Sequence, residues 1–99
     1  MVVHIVTWKI KDGHEGLNKA QIMEKMKKDL EGLKDKVPTI QKIEVGYNFN
    51  KANDFDVVLY SEFQDKEGLS TYQDHPEHLK VASFVRSVAL NRVCVDYEK

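Results

Sequence analysis

The sequence predicts an α+β domain whose segments run in the order β-α-β-β-α-β. Three observations carry this expectation. Residues 2–10, 40–49, 55–64 and 91–97 are rich in β-branched and aromatic types, with side chains alternating between two faces. Between the first two of these segments, apolar residues recur at steps of three and four. Between the last two, Asp65 and Pro76 are placed to open helices.

Each element follows from its own residues. Val2–Ile10 (VVHIVTWKI) suits a strand. Asp12 and Glu15 have the spacing of a capping box and predict a helix start there. Leu17, Ala20, Met23, Met26, Leu30, Leu33 and Val37 then form one apolar stripe over about six helical turns. Pro38 ends the helix, because the residue before a proline resists the α conformation. In 40–49, Ile43, Val45, Tyr47 and Phe49 share one face. Asn50–Asp54 supplies turn-forming residues, and 55–64 returns as the next strand. Asp65 caps a short helix carrying Leu69 and Tyr72. Pro76 begins another, with His78, Val81, Ala82, Val85, Val88 and Ala89 on one side. In 91–97, Val93, Val95 and Tyr97 oppose Arg92, Cys94 and Asp96. This order is the ferredoxin-like one, with a four-stranded antiparallel sheet and the helices on one face.

The chain of 99 residues fits a single domain spanning residues 1–99. Its 15 Lys and Arg balance 16 Asp and Glu, leaving a net charge of −1. Such a balance gives no field to gather nucleic acid or an anionic membrane. The third strand also lacks the basic, aromatic signature of an RNA-binding sheet, carrying Asp56 and Glu62 instead. No aliphatic run exceeds three residues (Val57–Leu59 is one), far too short to span a membrane. Cys94 stands alone, so no disulfide forms within the chain, and a cytoplasmic location is expected.

The strand faces predict a partner. Val2, His4, Val6, Trp8 and Ile10 share one face of the first strand, but Val3 and Ile5 make the other face apolar as well. Val58 and Tyr60 do the same for the third strand. Helices cover only one side of such a sheet. The remaining apolar side predicts a homodimer through sheet-to-sheet packing, forming a barrel-like core.

Chemistry is sparse. No G-x-G-x-x-G loop or nucleophile elbow is present, and no cofactor is expected. His75 and His78 lack the i, i+4 spacing of a helical metal pair, and no metal site is expected. Cys94 reads as a small, half-buried residue. His78 begins the inward stripe of its helix, Tyr72 precedes it by one Pro-broken turn, and His4 shares a strand face with Val6 and Trp8. If that face is the covered one, two imidazoles and a phenol meet on an apolar lining. Burial keeps an imidazole neutral, which suits a base near neutral pH. A cavity of a few hundred Å³ beside His78 separates this reading from a purely structural cluster.

At these residues the chain resembles the stress-responsive dimeric α/β-barrel (Dabb) domain family. The matching segments are His4-Ile5-Val6-Thr7-Trp8-Lys9-Ile10-Lys11-Asp12, Tyr72-Gln73-Asp74-His75-Pro76-Glu77-His78, Phe84-Val85-Arg86 and Val95-Asp96-Tyr97. The resemblance implies the dimeric α+β barrel. Most bacterial members of this family have no established activity. A plant subgroup cyclises poly-β-keto chains by aldol condensation, and neighbouring families include monooxygenases. By that likeness His78 is the general base, Tyr72 the partner of the substrate carbonyl, and His4 the third pocket residue. Val6, Trp8, Met26, Val81 and Val85 are the expected contacts to a small apolar or β-keto ligand. Two departures alter the pocket. The helix segment reads Ile22-Met23-Glu24-Lys25-Met26 where that subgroup has paired aromatics, and Trp8 is bulkier than the aliphatic residue expected there.

Overall fold

The computed structural model describes residues Met1–Lys99. Strand β1 (Val2–Ile10) is followed by a two-residue-per-arm hairpin, β2 (Gly13–His14) and β3 (Leu17–Asn18). Helix α1 (Lys19–Glu31) continues into a 3-10 turn over Gly32–Asp35. Strands β4 (Ile40–Tyr47) and β5 (Val57–Phe63), helices α2 (Lys66–Asp74) and α3 (Pro76–Val88), and strand β6 (Ala89–Glu98) complete the chain. The main sheet has the order β4-β5-β1-β6, and every pair is antiparallel. This is the ferredoxin-like arrangement, with its second helical segment divided into α2 and α3 where Asp65 and Pro76 predict the two starts.

Strand β1 lies in the middle and sets the faces. His4 pairs with Ser61 on β5 and Asp96 on β6, and Val6 pairs with Leu59 and Cys94. Paired residues in an antiparallel ladder point the same way. The even positions of β1 therefore share a face with Ser61, Leu59 and Val57, and with Asp96, Cys94 and Arg92. That face meets Ile22, Met26 and Leu30 from α1, Leu69 and Tyr72 from α2, and Val85 and Val88 from α3, forming one buried core. Ser61 is the buried polar exception on β5, and its hydroxyl is satisfied by the His4 carbonyl at 3.0 Å.

The start of α1 departs from the sequence expectation. Glu15 and Gly16 take φ of 46° and 83°, the positive values needed by the tight turn joining β2 to β3. Gly16 adopts this conformation without the clash a Cβ would bring. The capping box is instead made by Asn18 and Gln21. The Asn18 side chain accepts from the Gln21 N–H at 2.9 Å, and the Gln21 side chain accepts from the Asn18 N–H at 2.9 Å. The buried stripe shifts with the start: it runs through Ile22, Met26 and Leu30, while Ala20 is exposed. Strand β4 ends at Tyr47, and Phe49 lies beyond it, 93% exposed.

Helix α1 also closes one sheet edge. Strand β4 is an edge strand, and its Val45 turns both backbone groups outward. The Lys27 ammonium donates to the Val45 carbonyl at 2.6 Å, and the Glu31 carboxylate accepts from the Val45 N–H at 2.9 Å. Lys27 and Glu31 also bond each other at 2.8 Å. Partial burial opposes ionisation of Glu31, yet Lys27 and the Val45 N–H together hold its carboxyl below the usual range.

The two capping patterns make different predictions. Asn18→Ala should lower unfolding free energy by about 1 kcal/mol, while Asp12→Ala should leave it within about 0.5 kcal/mol. Urea denaturation of the two variants checks this, and equal losses would return the helix start to Asp12.

Candidate functional site

The break between α2 and α3 builds the site. His75 is extended (φ −66°, ψ 135°) because Pro76 follows it, so α2 stops at Asp74 and α3 restarts at once. Ending a helix leaves its last carbonyls without intrahelical partners. The Glu77 N–H, which would have reached back to Gln73 in a continuous helix, is taken by His75 Nδ1 at 3.1 Å. The Gln73 carbonyl is bonded by His78 Nδ1 at 3.0 Å instead. A carbonyl only accepts, so Nδ1 carries the proton and Nε2 of the neutral ring keeps its lone pair. Burial holds the His78 pKa below the ordinary histidine value; the Gln73 bond opposes this, and His4, Arg86 and Arg92 act with burial.

Tyr72, at the end of α2, is 1% exposed and wedged between rings. Its ring centroid lies 4.4 Å from His78, 5.1 Å from Phe63 and 6.2 Å from His4. Burial drives its hydroxyl pKa upward, outweighing the nearby Arg92, so the phenol stays neutral. A neutral phenol is a donor, and this one bonds no protein group, which leaves it free for a ligand oxygen.

His4, 3% exposed on β1, is held from the other side. Its Nδ1 lies 2.5 Å from the Asp96 carboxylate on β6, so that nitrogen donates and the ring orientation is fixed. Cys94 Sγ sits 3.7 Å from the same ring nitrogen, and burial pushes its thiol pKa up, keeping it protonated. His4, Cys94 and Asp96 place donor atoms within 4.8 Å of one another. Ligands of a tetrahedral zinc stand roughly 3.4 Å apart, given bonds of about 2.1 Å. The 2.5 Å His4–Asp96 contact is a hydrogen bond and would have to open before a metal could enter.

These groups line a cavity of about 330 Å³, within the range of small-ligand sites. His4, Tyr72 and His78 form its polar wall, while Val6, Trp8 and Val85 form part of its apolar wall. Trp8 borders the space without filling it. Two expected contacts lie elsewhere. Met26 is fully buried in the core behind the cavity, and Leu30, one helical turn on, reaches the lining in its place. Val81 faces a shallow groove beside Lys25, Asp29 and Phe84. The cavity side of α3 is His78, Ala82, Val85 and Arg86, at i, i+4, i+7 and i+8, and Val81 falls off that line. Leu59, Arg86 and Arg92 also line the space and were not singled out as contacts. Strand parity was the available signal for Arg92, which alternates with Cys94 and Asp96.

Fold and cavity together make this a small ferredoxin-like domain with a His/Tyr-lined pocket between sheet and helices. The chain belongs to the stress-responsive A/B barrel domain family, whose model matches residues 2–99. No curated protein matches it. Among solved structures it is similar to a dimeric ferredoxin-like protein of unknown function from Bacteroides fragilis, with 37% identity, a TM-score of 0.88, and coverage of 99% of this chain and 95% of that one. It is also similar in fold to a Dabb family protein from Mesorhizobium loti, at 22% identity and TM-score 0.74, covering 99% and 95% of the two chains. A third similar fold is the hydroxynitrile lyase of Passiflora edulis, at 19% identity and TM-score 0.82, covering 97% and 90%.

The depressed pKa of His78 sets a pH dependence. Its folded value lies below the unfolded value of about 6.5, so the folded state binds fewer protons in that range. Stability present above that pH is lost as pH falls below it. The urea midpoint should drop between pH 7 and pH 5.5, and the slope should flatten in His78→Asn; equal slopes would contradict the burial. Tyr72→Phe should change stability by less than about 0.5 kcal/mol, because the hydroxyl it removes bonds nothing in the protein.

Proposed function

We propose that the cavity carries out acid–base chemistry on a small carbonyl compound, with His78 as general base and Tyr72 as the donor to the carbonyl oxygen. One observation supports this most directly: the Pro76 break fixes the proton of His78 on Nδ1, beside a buried phenol with no partner of its own. In this reading His78 Nε2 takes a proton from the carbon next to the carbonyl. The electron pair moves onto the oxygen, where the neutral Tyr72 hydroxyl donates to the developing enolate. The enolate carbon then attacks a second carbonyl carbon of the same ligand, forming one C–C bond. The resulting alkoxide takes back the proton from protonated His78. His4, oriented by Asp96, sets the polarity of the third wall.

The test is α-proton exchange of methyl acetoacetate in deuterium oxide, followed by NMR. The wild-type protein should accelerate exchange above the buffer rate, and His78→Asn should lower that acceleration by about a hundredfold. Tyr72→Phe should lower it while melting as the wild type does. A wild-type rate equal to buffer, or an undiminished rate in His78→Asn, would overturn the assignment.

We also infer that the unit is a homodimer packed through the open sheet face. Val93, Val95 and Tyr97 on β6 are about half exposed there, beside Val3, Ile5, Val58 and Tyr60. Several similar structures are described as dimeric. Sedimentation at micromolar concentration should show twice the 11.5 kDa chain mass, and Val95→Lys should shift it toward the single chain. A wild-type protein sedimenting only at 11.5 kDa would overturn this.

A further inference from the structure

The chain contains only two arginines, Arg86 and Arg92. They come from different elements, α3 and β6, yet both line the cavity that holds Tyr72 and His78. Neither pairs with a carboxylate. Every ion pair in the structure is made by a lysine or a histidine. Both arginines are exposed, whereas His4 and Tyr72 are buried, so the guanidinium groups stand where the cavity meets solvent. Asp96, two residues beyond Cys94, bonds His4 and makes no ion pair with either arginine.

Two guanidinium groups without a carboxylate partner at one mouth, over a lining that joins Val6, Trp8, Leu30, Leu59 and Val85 to the His4, Tyr72 and His78 wall, make an amphipathic receptor. Arginine presents a planar fork that matches a carboxylate in two parallel hydrogen bonds, which a lysine ammonium does not. We infer that Arg86 and Arg92 form an anion subsite, and that the ligand of this cavity is a small molecule with an apolar body and a terminal carboxylate. This rests on the cavity being the ligand site proposed above and adds the chemical class that it selects. A carboxylate held at the mouth points the body inward, toward Trp8 and the Tyr72–His78 pair.

Trp8 is the only tryptophan and borders the cavity, so its fluorescence reports occupancy. The probes are octanoate and octanamide, which share an apolar body and differ in charge. Octanoate should quench or shift Trp8 emission with an affinity at least about tenfold above that of octanamide. Added salt should weaken octanoate binding and leave octanamide unchanged. In the double variant Arg86→Gln/Arg92→Gln the preference should fall below about threefold, with the melting temperature retained because both side chains are exposed. Calorimetry on the same pairs provides a readout independent of Trp8. Equal binding of the two probes, or a preference that survives the double variant, overturns the anion subsite and leaves the cavity reading standing. Binding of neither probe overturns both.

Discussion

The site depends on a discontinuity in the backbone. Pro76 cannot continue α2, so His75 extends and the chain restarts as α3 in a new direction. One break does three things. It brings the last turn of α2, with Tyr72, against the first turn of α3, with His78. It leaves the Gln73 carbonyl without a helical partner, and His78 Nδ1 takes it. By occupying that nitrogen it selects the tautomer whose other nitrogen is basic. A continuous helix would have placed Tyr72 and His78 six residues apart on divergent faces, with Gln73 satisfied by backbone.

The sheet supplies the other half. Because β1 is flanked by β5 and β6, its even residues have neighbours on both sides, and His4 reaches Asp96 across a single ladder step. The two halves treat their histidines differently. His4 is oriented by a charged acceptor, while His78 is oriented by a neutral carbonyl. At His78 the bond to the carbonyl only partly offsets burial, and burial prevails. In the reaction proposed for the cavity the proton is taken by His78, whose Nδ1 is held by a neutral carbonyl.

The sequence made much of this legible, and the losses have physical causes. Period-two alternation located β1 and β5, and the face shared by His4, Val6 and Trp8 is the one that helices cover. Asp65 and Pro76 marked their helices because caps are local chemistry. The start of α1 was not legible in the same way. Both Asp12–Glu15 and Asn18–Gln21 have capping-box spacing, and the choice depends on the Glu15–Gly16 turn, whose positive φ values pattern does not display. Met26 lies on the apolar stripe, but periodicity gives the side of a helix and not the depth along it, and Leu30 reaches the lining instead. Arg86 and Arg92 were separated in sequence by a helix end and a strand start. Only the packing of α3 over β6 puts them at one opening.

The Lys27–Glu31 clasp on Val45 bears on how many copies can add to one another. A sheet that grows into a ribbon needs an open hydrogen-bonding edge at each end. Here the β4 end is capped at Val45 by side chains of the protein's own helix, and β6 is the opposite edge. Removing the clasp would expose the Val45 backbone groups and give the molecule a second sticky end. Two residues outside the cavity lining thus work against polymerisation.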